Sequence, residues 1–225
     1  MGDTTARQRP GRPRHTRDTG TTTPREQILD AAAALFVEHG FTATSTRMIA
    51  EQVGIRQASL YYHYAGKDDI LVDLLSSSVR PSLDEIRALV HHSDSAAALY
   101  AAALVDVHTL SRSPHNIGTL YLLPEVRHSR YDSFRAERHE LQTLYARLGS
   151  AVATPGVRRS VPGQLLGELL IQVVEVAIQV RRVRDLAEED AEAIADACLR
   201  LCGLDDLALG EARAGVRRVL VAAAR

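Results

Sequence analysis

The sequence predicts an all-α fold: a three-helix unit near the N-terminus followed by a larger helical bundle. Three observations lead there. Apolar residues recur at intervals of three and four through most of the chain, and no strand-like alternation persists. Breakers punctuate these runs at helix-length intervals: Pro81, Ser93-Asp94, Ser113-Pro114, Pro124, Pro155-Gly156, Pro162-Gly163 and Gly203. Two short amphipathic segments meet at a tight turn, Val53-Gly54-Ile55. A chain of 225 residues is long enough to bury a sizeable core.

Residues 1–23 read as a disordered, Arg-rich arm. Arg7, Arg9, Arg12, Arg14 and Arg17 stand among Pro, Gly and Thr, opposed by Asp3 and Asp18. Such a segment has too little apolar surface to fold on itself. Arg9-Pro10-Gly11-Arg12-Pro13-Arg14 has the pattern of an AT-hook core. Arg12 and Arg14 are therefore candidates for a narrow A·T-rich minor groove, whose concentrated negative potential attracts guanidinium groups. A merely solubilising tail is the equal alternative. The arm has no apolar stretch of the secretory kind.

The first helix opens at Thr23-Pro24-Arg25-Glu26, a capping box with Pro at the first helical position. Ile28, Leu29, Ala32, Leu35 and Phe36 share one face, and Gly40 ends the run. Ser45 then caps a helix from Thr46 to about Val53, with Ile49, Ala50 and Val53 as its buried stripe. Gly54 suits the left-handed turn that closes it. Ile55 and Leu60 point back into the same small core. The next helix spends its exposed face on Gln57, Ser59, Tyr61, Tyr62 and His63. Neighbours on a helix lie about 100° apart, so consecutive tyrosines cannot both be core.

This is what a helix-turn-helix requires, and residues 24–70 are expected to form a DNA-binding domain. The second helix of such a motif enters the major groove, its N-terminal end nearest the bases. Gln57 suits an adenine edge and Arg56 a guanine. Ser59, Tyr61, Tyr62, His63 and Lys67 suit phosphate oxygens, which position the protein without reading sequence.

Past Lys67, the stripe Ile70, Leu71, Leu74 and Leu75 starts a helix leading into residues 71–225. Further helices are expected near 82–91, 95–111, 115–122, 129–152, 163–183, 189–202 and 210–223, enough for a bundle. Segment 163–183 is apolar nearly all round, so it must be covered on more than one side. Gly163 and Gly167 allow a close helix approach. Segment 189–202 is narrower, with Ile194, Ala197, Cys198 and Leu201 on one face.

Charge divides the chain. The whole carries net charge −1 with a pI near 6.8. Residues 1–67 hold nine Lys/Arg against six Asp/Glu, a basic head on an acidic body. Cys198 and Cys202 stand one turn apart, a strained spacing for a disulfide, which suits a reducing, cytoplasmic setting. No uninterrupted apolar run reaches 18 residues, so no membrane span is expected. No HExxH, Walker loop, GxSxG or GxGxxG occurs. The histidines lack ligand spacing with Cys or Glu, so neither enzymatic activity, a metal nor a cofactor is expected.

The stretch TSTRMIAEQVGIRQASLYYHYAGK, with Gly40-Phe41 before it and DDIL after it, resembles the TetR family of transcriptional regulators. Its most specific part is the order Leu60-Tyr61-Tyr62-His63-Tyr64 with Lys67 three residues on. The resemblance covers about a quarter of the chain. It places Ser45, Thr46 and Arg47 close to DNA, puts Gln57, Ala58 and Ser59 at the reading end, and makes Tyr61, His63 and Lys67 phosphate contacts. Three residues depart from the family pattern. Arg56 stands where a small cap is usual, Met48 where an acid often sits, and Tyr64 in place of Phe, so that its hydroxyl needs a partner.

The resemblance also implies a homodimer built from the two long helices near the C-terminus, with Leu166, Leu170, Val173, Val174, Ala177, Ile194, Cys198 and Leu201 as interface candidates. A palindromic double-stranded operator follows from two-fold symmetry. It implies a pocket for a small apolar or amphipathic effector in the middle helices. Candidate lining residues are Tyr100, Leu104, His108, Leu120, Tyr121, Phe134, Tyr145, Gln172 and Glu175. Glu175 interrupts an apolar helix, and Arg127, Arg135 and Arg138 compete with a ligand for its charge. The expected function is a one-component, ligand-responsive repressor. The alternative is a constitutive DNA binder whose bundle is a protein-interaction module.

Overall fold

The computed structural model describes residues 22–223, and Arg12 and Arg14 of the arm lie outside them. Ten α-helices are described: α1 (Pro24–His39), α2 (Thr46–Val53), α3 (Gln57–His63), α4 (Lys67–Leu89), α5 (Ser95–Arg112), α6 (Asp132–Val152), α7 (Pro155–Ser160), α8 (Gly163–Val180), α9 (Glu188–Leu201) and α10 (Asp206–Ala223). Three 3-10 turns, Ile117–Leu120, Pro124–Arg127 and Ser129–Tyr131, bridge α5 and α6.

The caps explain the first three helices. Thr23 accepts from Glu26 N, and the Glu26 carboxylate accepts from Thr23 N at 2.6 Å, closing the capping box. Ser45 Oγ accepts from Met48 N at 3.2 Å. Gly54 ends α2 at φ 80°, ψ 26°, a left-handed conformation that costs glycine little. Ile28, Phe36, Phe41, Ile49, Leu60, Ile70 and Leu71 bury the N-terminal end of a core that continues into the bundle.

Several elements differ from the sequence expectation. Pro81 does not separate two helices: α4 runs through it as one rod of 23 residues. A mid-helix proline costs about 3 kcal/mol. Here burial of Val79, Ser82, Leu83 and Ile86 on α5 and α6 outweighs it. The division at 70/71 therefore falls inside a continuous helix. The helix expected over 115–122 is a four-residue 3-10 turn, and α6 starts at Asp132 rather than 129. The breaker Pro155-Gly156 instead opens α7, capped by Thr154.

In the bundle, α8 lies along α6, α9 and α10 pack on α5, and α4 closes the layer against α5 and α6. Gly167 makes the α6–α8 approach possible. A Cβ there would fall 2.6 Å from the Gln142 carbonyl and 2.7 Å from Ala146 Cβ. The close approach is thus within the chain. By length and composition α8 could cross a membrane, with mean hydropathy 1.4 over 18 residues. Its inner face nevertheless packs in the bundle, and Glu168, Gln172, Glu175 and Gln179 interrupt its outer one.

Candidate nucleic-acid interface and bundle site

The α2–α3 corner gathers most of the residues expected at DNA. Ser45, Arg47, Arg56, Gln57, Ala58, Ser59, Tyr61 and Tyr62 are all exposed, while Thr46 and His63 are half-buried. Tyr62 is 88% exposed, which no packing role explains. α3 reaches that position because Leu60, wholly buried, anchors it on α2.

The surface is partly bonded to itself. Gln57 Nε2 donates to Thr46 Oγ1 at 3.0 Å and to Tyr61 Oη at 3.4 Å, and Thr46 Oγ1 and Tyr61 Oη lie 3.1 Å apart. Arg47 pairs with Glu51 at 2.8 Å. Both Gln57 amide hydrogens are therefore engaged in the free head, and a bidentate adenine contact must exchange those bonds.

Lys67 differs from its sequence assignment. Its ammonium donates to the carbonyls of Phe41, Thr42 and Thr44 at 2.8, 3.2 and 3.0 Å, and lies 4.5 Å from the centre of the Phe41 ring. All three donors of a lysine are thereby used, leaving none for a phosphate. Lys67 closes the loop between α1 and α2.

Tyr64 finds the partner that its hydroxyl needs. It donates to Asp73 at 2.5 Å and accepts from Arg25 at 3.0 Å, while Arg25 also pairs with Asp73 at 2.8 Å. Burial and the Asp73 carboxylate together push the phenol well above its usual range. The three residues tie the end of α3 to α1 and α4.

The interface candidates on α8 and α9 divide in two. Leu166, Leu170, Val174, Ala177, Ile194 and Cys198 are buried within the chain itself, so they face its own core rather than a partner. Val173 and Leu201 are half-buried. What α8 leaves open is the opposite stripe, Leu165, Leu169 and Val176 with half-buried Val180. Exposed Ala193 and half-buried Ala197 recur at four-residue spacing before Leu201 on the adjoining α9. Cys202 is buried with Cys198, and both thiols are free.

The nine effector candidates do not converge on one cavity. Tyr145 is buried, donating to Asp106 at 3.1 Å and to the Ala102 carbonyl at 3.3 Å. His108 pairs with Glu188 at 3.2 Å on the outside. Tyr100, Leu104, His108, Leu120 and Tyr145 line neither of the two grooves beside Leu122. One groove, of about 330 Å³, runs past Tyr121, Gln172 and Glu175 toward Arg182. The other, of about 300 Å³, runs past Tyr121 and Phe134 toward Arg127 and Arg138. Glu175 pairs with Arg138 at 2.5 Å, and Arg138 also stacks over the Tyr121 ring at 4.7 Å. Arg135 is held instead by the Val126 and His128 carbonyls and by Asp132.

Sequence reasoning missed Asp106, a carboxyl on the alanine-rich α5 and buried beside the Ser82 hydroxyl. Burial pushes its pKa up to about 6, against the opposing hydrogen bond from Tyr145. A single acid inside an Ala/Leu run was the available signal. It also missed the contacts that dock the head on the bundle. Thr42 donates to Glu125 at 3.1 Å, His115 meets Asp30 at 3.1 Å, Tyr131 donates to Asp68 at 3.1 Å, and Arg130 reaches Asp69 at 3.4 Å.

Comparison with known proteins adds the relatives. The profile of the family described as bacterial regulatory proteins, tetR family, matches residues 28–74. The crystal structure of Mycobacterium smegmatis AmtR is 39% identical, covers 92% of this chain and 99% of its own, and superposes with a TM-score of 0.76. The TetR family transcriptional regulator PfmR of Thermus thermophilus is 27% identical, with 80% and 97% covered and a TM-score of 0.66. The HTH-type transcriptional repressor KstR2 of Rhodococcus jostii is 31% identical over 135 residues, 60% of this chain and 65% of that protein. The chain thus spans just under two thirds of that curated relative, and 26% of KstR2 from Mycobacterium tuberculosis, at 45% identity over 51 residues.

Proposed function

Given that the chain belongs to the TetR family of bacterial regulatory proteins, we propose that it is a homodimeric, one-component transcriptional repressor released from its operator by a small effector. The observation that carries the proposal is the α2–α3 surface. Arg56, Gln57, Ser59, Tyr61 and Tyr62 stand exposed together on a helix whose only buried residue is Leu60. A helix so placed fits a major groove, and its exposed phenols and guanidinium fit phosphates and base edges. Relatives named as transcriptional repressors support the sign of regulation.

Dimerisation rests on the outer face of α8 and α9. Leu165, Leu169 and Val176 form an exposed apolar stripe rather than scattered surface residues. Two copies meeting through it form an isologous four-helix interface and present two heads to a palindrome. A monomeric head with few net charges binds DNA weakly, and pairing two heads raises the effective concentration of the second. The setting is cytoplasmic, where the operator and the reduced thiols of Cys198 and Cys202 both belong.

Selection of genomic fragments by the purified protein tests this reading. The expected result is a two-fold symmetric motif with half-sites about one helical turn apart or slightly more, and a protein–DNA complex of two chains per site. Absence of any enriched motif overturns it. If a motif is found but no small molecule ever changes occupancy, the constitutive binder with a protein-interaction bundle replaces the effector part.

A further inference from the structure

We propose that the groove between the 3-10 turns and α6 binds a small amphipath with an anionic head, a carboxylate or a phosphate ester, over an aromatic body. The inference rests on the regulator reading and specifies the ligand class and its place. The groove has an apolar floor of Tyr121, Phe134 and Val126, with the two rings 5.3 Å apart and tilted. Its rim carries Arg127, Arg138 and His139, and no carboxylate lines it.

The cations there are unequal. Arg138 is balanced by Glu175. Arg135 is pinned by backbone carbonyls and Asp132. Arg127 is exposed, and neither its side chain nor that of His139 has a hydrogen bond or ion pair among the described residues. An uncompensated guanidinium over an apolar floor matches a planar anion whose body excludes water. The volume of about 300 Å³ lies at the small end of ligand sites, which suits a two-ring compound. Leu122, 90% exposed, stands at the lip and supplies an apolar cover.

The position also gives an occupant leverage. Val126 of the floor lies in the 3-10 turn that carries Glu125, and Phe134 opens α6 directly after the turn with Arg130 and Tyr131, which hold the head. A ligand that moves Val126 or Phe134 moves the neighbours of Thr42, Asp69 and Asp68. It shifts DNA affinity only if it binds the two head positions unequally.

The test uses full-length protein with 2-naphthoate, 2-naphthyl phosphate and the neutral isostere 2-naphthamide as probes. Binding is measured by calorimetry, and operator affinity by fluorescence anisotropy in the same buffers. The expected result is that at least one anionic probe binds tenfold or more tighter than the amide and lowers operator affinity. Comparing naphthoate with naphthyl phosphate assigns the head group. Arg127→Gln, a surface change, should cost that probe about tenfold while leaving thermal stability and ligand-free DNA binding unchanged. Equal affinity for amide and anions, or an Arg127→Gln variant that binds as well as the parent, overturns the inference. So does binding with no effect on DNA. Ligand-free protein that fails to bind DNA at all instead overturns the regulator reading, which the same experiment scores separately.

Discussion

Lys67 and Gln57 show how one side chain can lie near a DNA-facing helix for different reasons. Lys67 satisfies three loop carbonyls. Lys67→Ala should therefore destabilise the head by about 2 kcal/mol, since bonds from charged donors contribute roughly 1.5–3 kcal/mol each and the freed carbonyls partly regain water. Calorimetric melting should register the loss, while the salt dependence of operator binding by the folded protein stays as it was. A salt slope reduced by about one with unchanged melting would return Lys67 to the phosphate contacts. A base contact by Gln57 would require it to give up its bonds to Thr46 and Tyr61. Gln57→Ala is expected to flatten base preference at one position per half-site, by roughly the 1–3 kcal/mol of a bidentate pair. A uniform loss across all operator variants would rule out base reading there.

Asp106 couples the stability of the fold to pH. Its carboxyl is raised by burial to about 6, from an ordinary 3.8. The folded state therefore holds a proton that the unfolded chain has already released between those values. Stability from this group is greatest below about pH 4 and declines as pH rises toward 6, by up to about 3 kcal/mol at 1.36 kcal/mol per unit. The charges and hydroxyls bearing on it are Glu175, Arg138, Ser82 and Tyr145. Asp106→Asn should melt higher than the parent at pH 7.5 and lose the decline between pH 4 and 6. A variant with the parental pH profile would assign that decline to another group.

At the scale of elements, α8 is where sequence and structure part. A helix apolar nearly all round carries no record of which side faces its own core. The sequence expectation assigned Leu166, Leu170, Val174 and Ala177 to a partner, and the structure buries them against the chain itself. Leu169→Glu should then give monomers by sedimentation with little change in melting of the isolated fold. Leu166→Ala should cost about 2–5 kcal/mol, as large-to-small core changes do, and leave the dimer intact. The opposite pairing of outcomes would restore the inner face as the interface. Other elements were legible because their signals are local. The Thr23–Glu26 box, the Ser45 cap and the Gly54 turn each involve residues within four positions. The continuity of α4 through Pro81 is not legible locally because burial along the helix overrides the proline's cost, and the loop bonds of Lys67 are not because its carbonyl partners lie 23–26 residues back.

For the whole molecule, the proposed dimer requires the bundle to set the separation of two DNA-binding heads. α4 is continuous from the DNA-binding unit into the bundle, so the head cannot swing independently of it. Four polar contacts then fix the head's tilt: Thr42–Glu125, Asp30–His115, Asp68–Tyr131 and Asp69–Arg130. The exposed contacts contribute at most about 1 kcal/mol each, and the part-buried Tyr131–Asp68 bond about 1 kcal/mol, so together they are of the order of the 1–3 kcal/mol typical of coupling between sites. They are thus strong enough to hold one spacing and weak enough for a ligand to change it. Removing them together, with Glu125→Ala, His115→Ala, Tyr131→Phe and Arg130→Ala, should lower melting by no more than the roughly 2–4 °C per kcal/mol that this loss implies. It should also broaden the tolerance for operators whose half-sites are moved apart or together by one base pair. The parent should discriminate among these operators by about tenfold or more, and the variant by only a few-fold, because the competent spacing is no longer pre-selected. Spacing preference that survives all four changes would place control of the heads in α4 alone.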